Sequence, residues 1–189
     1  MYDVETQVPE FIHITEAKVN DAKAMDSISY ESGSYYVFDR AYNDYKRLFK
    51  IHIKDSFFVV RAKTDIKSRV LRWKRRLPKN ILSDCEIELT GYYSQKAYPE
   101  RIRMVRYWDK DDQREFIYLT NAKQISAPQV AELYKNRWQV ELFFKWLKQH
   151  LKIKKFWGTS ENVVKIQVYS AIIAYCLVAI MQHDMELDR

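Results

Sequence analysis

Residues 35–61 read YYVFDRAYNDYKRLFKIHIKDSFFVVR. Tyr35 to Phe38 is an aromatic and β-branched run, the composition of a buried strand. It stops abruptly at Asp39-Arg40. Asn43 to His52 then reads as a helix with Tyr45, Leu48, Phe49 and His52 on one side. Ser56 to Arg61 is a second buried strand. Working outward, Val8 to Thr15 reads as a short strand with Phe11, Ile12 and Ile14 as its apolar positions. Asn20-Asp21 reads as the cap of a helix from Ala22 to Ile28, broken at Ser32-Gly33-Ser34. Strands alternating with helices predict an α/β fold, a mixed sheet with helices on its faces.

The middle of the chain changes character. Lys67, Arg69, Arg72, Lys74, Arg75, Arg76 and Lys79 form a basic run with no acid in it. It reads either as a solvated loop or as a surface lying along phosphate, with Trp73 inside it. Asp84 to Thr90 alternates, setting Cys85, Ile87 and Leu89 against Asp84, Glu86 and Glu88, the pattern of a half-exposed antiparallel strand. Ile102 to Trp108 and Phe116 to Leu119 are two further strands around the turn Asp109-Lys110-Asp111-Asp112. Tyr92, Tyr93 and Tyr98, near Lys96 and Arg101, read as cover for a small β-core or as platforms for bases. The expected organisation is a core over residues 1–62, a β-rich insertion over 63–115 and the rest of the core over 116–189.

Composition narrows the function. The chain has 189 residues, 47% hydrophobic and 30% charged, which excludes a disordered tail. A net charge of +7 and 15% aromatic residues fit a polyanionic partner with bases to stack. Cys85 and Cys176 have no metal-ligand spacing, and the scattered histidines carry no zinc signature. Met1 to Glu10 is too polar for a signal peptide. Val168 to Met181 is too short to span a bilayer and reads as a buried core helix.

One long helix is expected after Ser126, capped by Ser126 with Gln129 and tolerating Pro128 in its first turn. Leu133, Val140, Phe144, Leu147 and Leu151 form its apolar stripe. Stepping ~100° per residue, Tyr134, Arg137, Glu141, Lys145 and Lys148 share one face beside that stripe. On charge spacing alone this is a solvated face with pairs Arg137–Glu141 and Glu141–Lys145. A metal would need a second carboxylate, and Asp39, at the end of an aromatic strand, is the candidate. Gly158-Thr159-Ser160 breaks the chain before a last helix from Glu161 to about Gln182.

Tyr134, Arg137, Glu141 and Lys148 stand at the spacing of the Tyr-Arg-Glu-Lys signature of DDE transposases resembling that of bacterial insertion sequence four. The whole stretch from Tyr134 to Lys148 resembles that family, as do Phe38-Asp39-Arg40-Ala41-Tyr42 and Gly158-Thr159-Ser160-Glu161-Asn162, in the family's order. The resemblance implies a ribonuclease-H-like catalytic domain interrupted by a β-rich insertion. It implies that Asp39 and Glu141 are the second Asp and the Glu of the catalytic triad and ligands of Mg²⁺ or Mn²⁺. Tyr134, Arg137 and Lys148 are then expected on the DNA backbone near the scissile phosphate. Lys145 on the same face, and Lys152, Lys154, Lys155 and Trp157 beyond it, are expected along the DNA end.

The implied activity is metal-dependent phosphoryl transfer that cuts element ends and joins them to target DNA by cut-and-paste. The implied partners are double-stranded DNA, as terminal inverted repeats and target, and a second copy in a homodimer. No membrane is expected, and the implied location is cytoplasmic, with the nucleoid. None of the acids before Asp39 fits the family's first catalytic Asp. The expectation is therefore a C-terminal fragment, incomplete at its N-terminal strands and inactive alone. Two other readings stay open: a non-catalytic DNA-binding remnant or inhibitor, and another ribonuclease-H-like nuclease.

Overall fold

The computed structural model describes all residues except 4, 5, 7, 11, 13–20, 151–155 and 186–189, and gives no side-chain placement for 21, 150 and 183. The expected strand over Val8 to Thr15 falls largely outside the described residues. The chain divides into two compact units, residues 18–136 and residues 1–17 with 137–189.

The larger unit is built on a six-stranded sheet. Its strands are β1 (Tyr35–Phe38), β2 (Phe57–Arg61), β3 (Ser68–Trp73), β4 (Ile81–Leu89), β5 (Ile102–Asp109) and β6 (Arg114–Thr120), in the spatial order β1-β2-β6-β5-β4-β3. β1 and β2 are parallel, Tyr35 facing Phe57 and Phe38 facing Val60, and every other pairing is antiparallel. The parallel pair needs a crossover, and α1 (Tyr45–His52) supplies it. Before β1 the chain turns at Gly33, whose φ of 83° favours a residue without Cβ. β3, β4 and β5 lie within residues 63–115 and continue the same sheet as β1 and β2.

Alternation along the strands sends side chains to two cores. On one face Phe38, Phe58, Val60, Leu119, Ile102, Ile87 and Leu89 pack under Leu48 and Ile51 of α1 and Tyr98. Tyr98 closes α2 (Tyr92–Ala97), and its hydroxyl lies 2.7 Å from His52 Nδ1. Tyr98 therefore belongs to the core, whereas Tyr92 and Tyr93 are exposed. On the other face Val59, Val105, Phe116 and Tyr118 pack under Val130, Ala131 and Tyr134 of α3 (Ala127–Lys135). This is a mixed α/β fold with helices on both faces of a mixed sheet, consistent with a ribonuclease-H-like architecture.

Four local expectations change. The helix expected from Ala22 to Ile28 is a 3₁₀ helix over Asp21–Ser27. The basic run is not a loop throughout, because Ser68–Trp73 pairs with β4 as the outermost strand. Asp84 does not face solvent: it is buried with Arg103 on the face that α3 covers. The long helix breaks at Asn136-Arg137 into α3 and α4 (Trp138–His150). Asn136 still donates to Glu132 O, but Val140 N–H turns back only three residues, to Arg137 O. Asn is a weak helix former whose side chain competes for backbone partners.

The smaller unit pairs α4 with α5 (Glu161–Asp184). Phe143 and Leu147 of α4 bury against Ala171, Ile172, Tyr175 and Ala179 of α5. The Tyr2 and Tyr175 hydroxyls sit 3.1 Å apart, tying in the amino-terminal segment. The expected apolar stripe is displaced: Phe143 is buried and Phe144 is 51% exposed. α5 is long and apolar enough by length and composition to cross a membrane. It is only partly the buried core helix expected, since Ile166, Ile173, Leu177 and Ile180 on it are exposed.

Candidate active site

Asp39 sits where β1 ends. Its backbone is extended, with φ −74° and ψ 169°, and it caps the short 3₁₀ turn Arg40–Tyr42. Oδ1 accepts the Arg40 N–H at 2.6 Å. The same oxygen accepts the Tyr134 hydroxyl at 3.2 Å. Asn43 fixes the turn behind it by donating to Arg40 O at 3.0 Å and to Arg61 O at 2.5 Å. The carboxylate therefore stands at the carboxyl end of one of two parallel strands, held by its own backbone and by a tyrosine from α3. That end of an α/β sheet is where ligands gather.

Tyr134 is only 7% exposed. Its ring lies 4.7 Å from that of Tyr118 and 6.3 Å from that of Phe116. Arg61 and Arg114 lie against the Phe116 ring. The wheel drawn for one continuous helix put Tyr134 beside the core; α3 instead turns it into the core, with only its hydroxyl reaching the carboxylate. Burial pushes the Tyr118 phenol well above its ordinary range, so it stays neutral beside Tyr134.

The loop that leads into α3 is anchored from below. Arg103 donates from Nε and Nη2 to both oxygens of Asp84, at 2.8 and 2.7 Å. Its Nη1 donates to Ala122 O and Ile125 O, at 3.0 and 2.6 Å. Burial pushes the Asp84 carboxyl up, but hydrogen bonds from Arg103 and Lys74 outweigh it and hold the carboxyl below its ordinary value. Ile125 directly precedes Ser126, which caps α3. Ser126 N–H donates to Gln129 Oε1 at 2.8 Å, and Ser126 Oγ accepts Gln129 N–H at 3.4 Å. The capping box was legible in the sequence. The Arg103 anchor was missed, and an Arg among the apolar residues Ile102, Met104 and Val105 was the available signal.

In the smaller unit, α4 carries Glu141 with its cations. Arg137 Nη2 donates to Glu141 Oε1 at 2.8 Å across one helical turn, and Glu141 is 66% exposed. The pair expected with Lys145 is not formed among the described residues. Glu141, Phe144, Lys145, Lys148 and Gln149 line a shallow depression on one side of α4. Phe143 and Leu147 hold the opposite side in the core, so the cations present outward. Trp157 is 88% exposed, and its backbone N–H donates to Gln167 Oε1 at 3.0 Å. Lys152, Lys154 and Lys155 lie outside the described residues.

Asp39 with Tyr134 is a local arrangement of the larger unit, and Glu141 with Arg137 one of the smaller unit. Both offer hard oxygen donors, the chemistry a Mg²⁺ or Mn²⁺ ion takes. Among the described residues no group of three His, Cys, Asp or Glu side chains is brought together.

A mixed sheet with an acid at the end of a parallel strand is consistent with a ribonuclease-H-like fold. The family model described as the transposase DDE domain matches residues 1–177, and the chain belongs to that family. It is 37% identical over 186 residues to y4zB of Sinorhizobium fredii, named as a transposase, covering 95% of this chain and 51% of that protein. It is 30% identical over 178 residues to the protein named as the transposase for insertion sequence element IS5377 of Geobacillus stearothermophilus, covering 93% and 46%. It is also 30% identical over 153 residues to the one named for element IS4SA of Synechocystis, covering 77% and 40%. The chain spans about half the length of the curated relatives it matches, or less.

Proposed function

We propose that this chain is part of the catalytic domain of a DNA transposase that cuts the ends of an insertion element and joins them to target DNA by cut-and-paste. The observation that carries the reading is Asp39, fixed at the carboxyl end of β1 by Arg40 N–H and the Tyr134 hydroxyl. Asp39 and Glu141 would hold divalent ions, Mg²⁺ or Mn²⁺, and a third carboxylate would come from sequence outside these 189 residues. Bound there, the ions would supply activation of the attacking oxygen and stabilisation of the leaving oxygen in an in-line displacement.

The chain's own residues do the positioning. Tyr134 keeps one oxygen of Asp39 aimed. Arg137 orients Glu141 and, with Lys145 and Lys148, neutralises backbone phosphates. Lys152, Lys154, Lys155 and Trp157 continue that contact along the DNA end. The partners are duplex DNA and a second copy of the protein, and the location is the cytoplasm with the nucleoid. Alone the chain is inactive in strand transfer, because two carboxylates hold two ions weakly.

A second reading is a DNA binder that does not cut. Duplex binding measured with and without Ca²⁺, a divalent ion that does not support cleavage, separates the two. On the catalytic reading Ca²⁺ tightens binding, and Asp39→Asn and Glu141→Gln each abolish that gain. Binding indifferent to Ca²⁺ and to both substitutions overturns the catalytic reading in favour of the binder.

A further inference from the structure

β2 runs one residue past β1. The last rung of the parallel pair sets Phe38 against Val60; there β1 turns away at Asp39, while β2 continues to Arg61. The Arg61 carbonyl still finds a donor in the turn that follows β1, because Asn43 Nδ2 donates to it at 2.5 Å. The same nitrogen donates to Arg40 O at 3.0 Å, and the Asn43 N–H reaches that oxygen at 3.4 Å. Tyr42 N–H donates to Asp39 O at 3.0 Å. The turn from Asp39 to Asn43 thus closes on itself, and one side chain pins it to the end of β2. Directly after it, Asp44 caps α1 by accepting Arg47 N–H at 3.1 Å.

Asn43 is 9% exposed, and its Oδ1 has no hydrogen-bond partner among the described residues. Turning the amide over would aim that oxygen at two carbonyls and leave both without this donor. A buried side chain that only filled space would be apolar and would carry no unpaired oxygen, which is costly to bury. The two bonds from Nδ2 therefore set how the amide lies.

We infer that Asn43 is a positioning residue for divalent-ion binding at Asp39. The inference rests on the reading of Asp39 as a metal ligand. Tyr134 holds the carboxylate itself, whereas Asn43 holds the backbone beneath it. Without that staple the ends of β1 and β2 can part, and the Asp39 side chain gains rotamers. Groups behind a ligand orient it, and losing one typically lowers metal affinity about 10–100-fold. All these bonds lie within the larger unit, so the effect needs nothing from Glu141.

NMR of the isotope-labelled chain tests this through two readouts. One is the Mn²⁺ concentration that half-broadens the Arg40 amide signal, which is next to Asp39. The other is the set of three-bond couplings that report χ1 of Asp39 in the absence of metal. Asn43→Leu keeps the bulk and removes both donors, and Asn43→Ser is the milder change, keeping one hydroxyl donor. Ile51→Val lowers stability in the core without removing any hydrogen bond of the turn. Asn43→Leu should need about tenfold or more Mn²⁺ and should average the Asp39 couplings. Asn43→Ser should fall between it and wild type, and Ile51→Val should match wild type in both readouts.

Wild-type Mn²⁺ response and a single Asp39 rotamer in either folded Asn43 variant overturn the inference, and Asp39 then stands as a ligand. An equal shift in Ile51→Val would trace the effect to general loss of stability and overturns it too. If wild type shows no broadening at Arg40, or broadening that Asp39→Asn leaves unchanged, the ion does not bind at Asp39. That result overturns the metal-ligand reading together with the inference.

Discussion

The Tyr134 hydroxyl donates to Asp39 Oδ1 at 3.2 Å, joining residues 95 apart in sequence. The signature tyrosine is thus tied to a carboxylate expected to bind metal, while its ring is core. Ring and hydroxyl can be separated by substitution. Tyr134→Phe should cost about 0.5–1.5 kcal/mol, the worth of one hydrogen bond. Tyr134→Ala should cost about 3–5 kcal/mol, because it leaves a cavity against Tyr118 and Phe116. Urea unfolding followed by circular dichroism measures both. Equal costs would mean that the hydroxyl, not the packing, holds α3 in place.

Arg103 and Asp84 hold the loop before α3 from inside the unit. Arg103→Leu leaves Asp84 buried with only Lys74, and two carbonyls lose their donor. The expected loss is about 3–5 kcal/mol. The double variant Asp84→Leu/Arg103→Leu should recover a large part of that loss, since no lone charge remains buried. A double-mutant cycle reads the coupling directly, and additive losses would refute the pairing.

The strongest sequence signals were those in which pattern and burial agree. β1, α1 and β2 could be read from residues 35–61 because each element is short and apolar on the side it buries. The capping box at Ser126 and Gln129 was equally plain. Three features were hidden because they depend on tertiary context. The break at Asn136-Arg137 carries no Gly or Pro, so the wheel ran through it and set Tyr134 at the edge of the core rather than in it. Asp84 follows a clean alternation, and only the distant Arg103 makes it an inward charge. The strand Ser68–Trp73 has weak apolar alternation, and pairing with β4 rather than local preference makes it a strand. Of the candidate site, Asp39 and Glu141 are expectations from the sequence; the bond from Tyr134 to Asp39 was not among them.

The cap of α3 can be tested separately from its packing. Ser126→Ala removes the oxygen that accepts Gln129 N–H and should cost about 1 kcal/mol. Ser126→Gly should cost only a few tenths, because glycine leaves the end open to water. Amide hydrogen exchange would locate the loss in the first turn of α3. Exchange unchanged there, with the same global loss, would count against the cap as its source.

Asp26 makes a prediction about acid. It takes hydrogen bonds from Arg47 and Lys50, which tie the 3₁₀ helix Asp21–Ser27 to α1 and hold its carboxyl down at about 2. An unfolded Asp titrates near 3.9. The folded value is the lower one, so the stabilisation is complete above about pH 4 and is lost as pH falls towards about 2. Asp26 is 39% exposed, so solvent screening limits the gain to about 0.5 kcal/mol rather than the full value of the shift. Asp26→Asn should therefore lower the urea midpoint slightly at about pH 6. The gap to wild type should narrow at about pH 3 and shrink in high salt. A gap that persists in acid would mean that Asp26 acts through packing of the 3₁₀ helix and not through its charge.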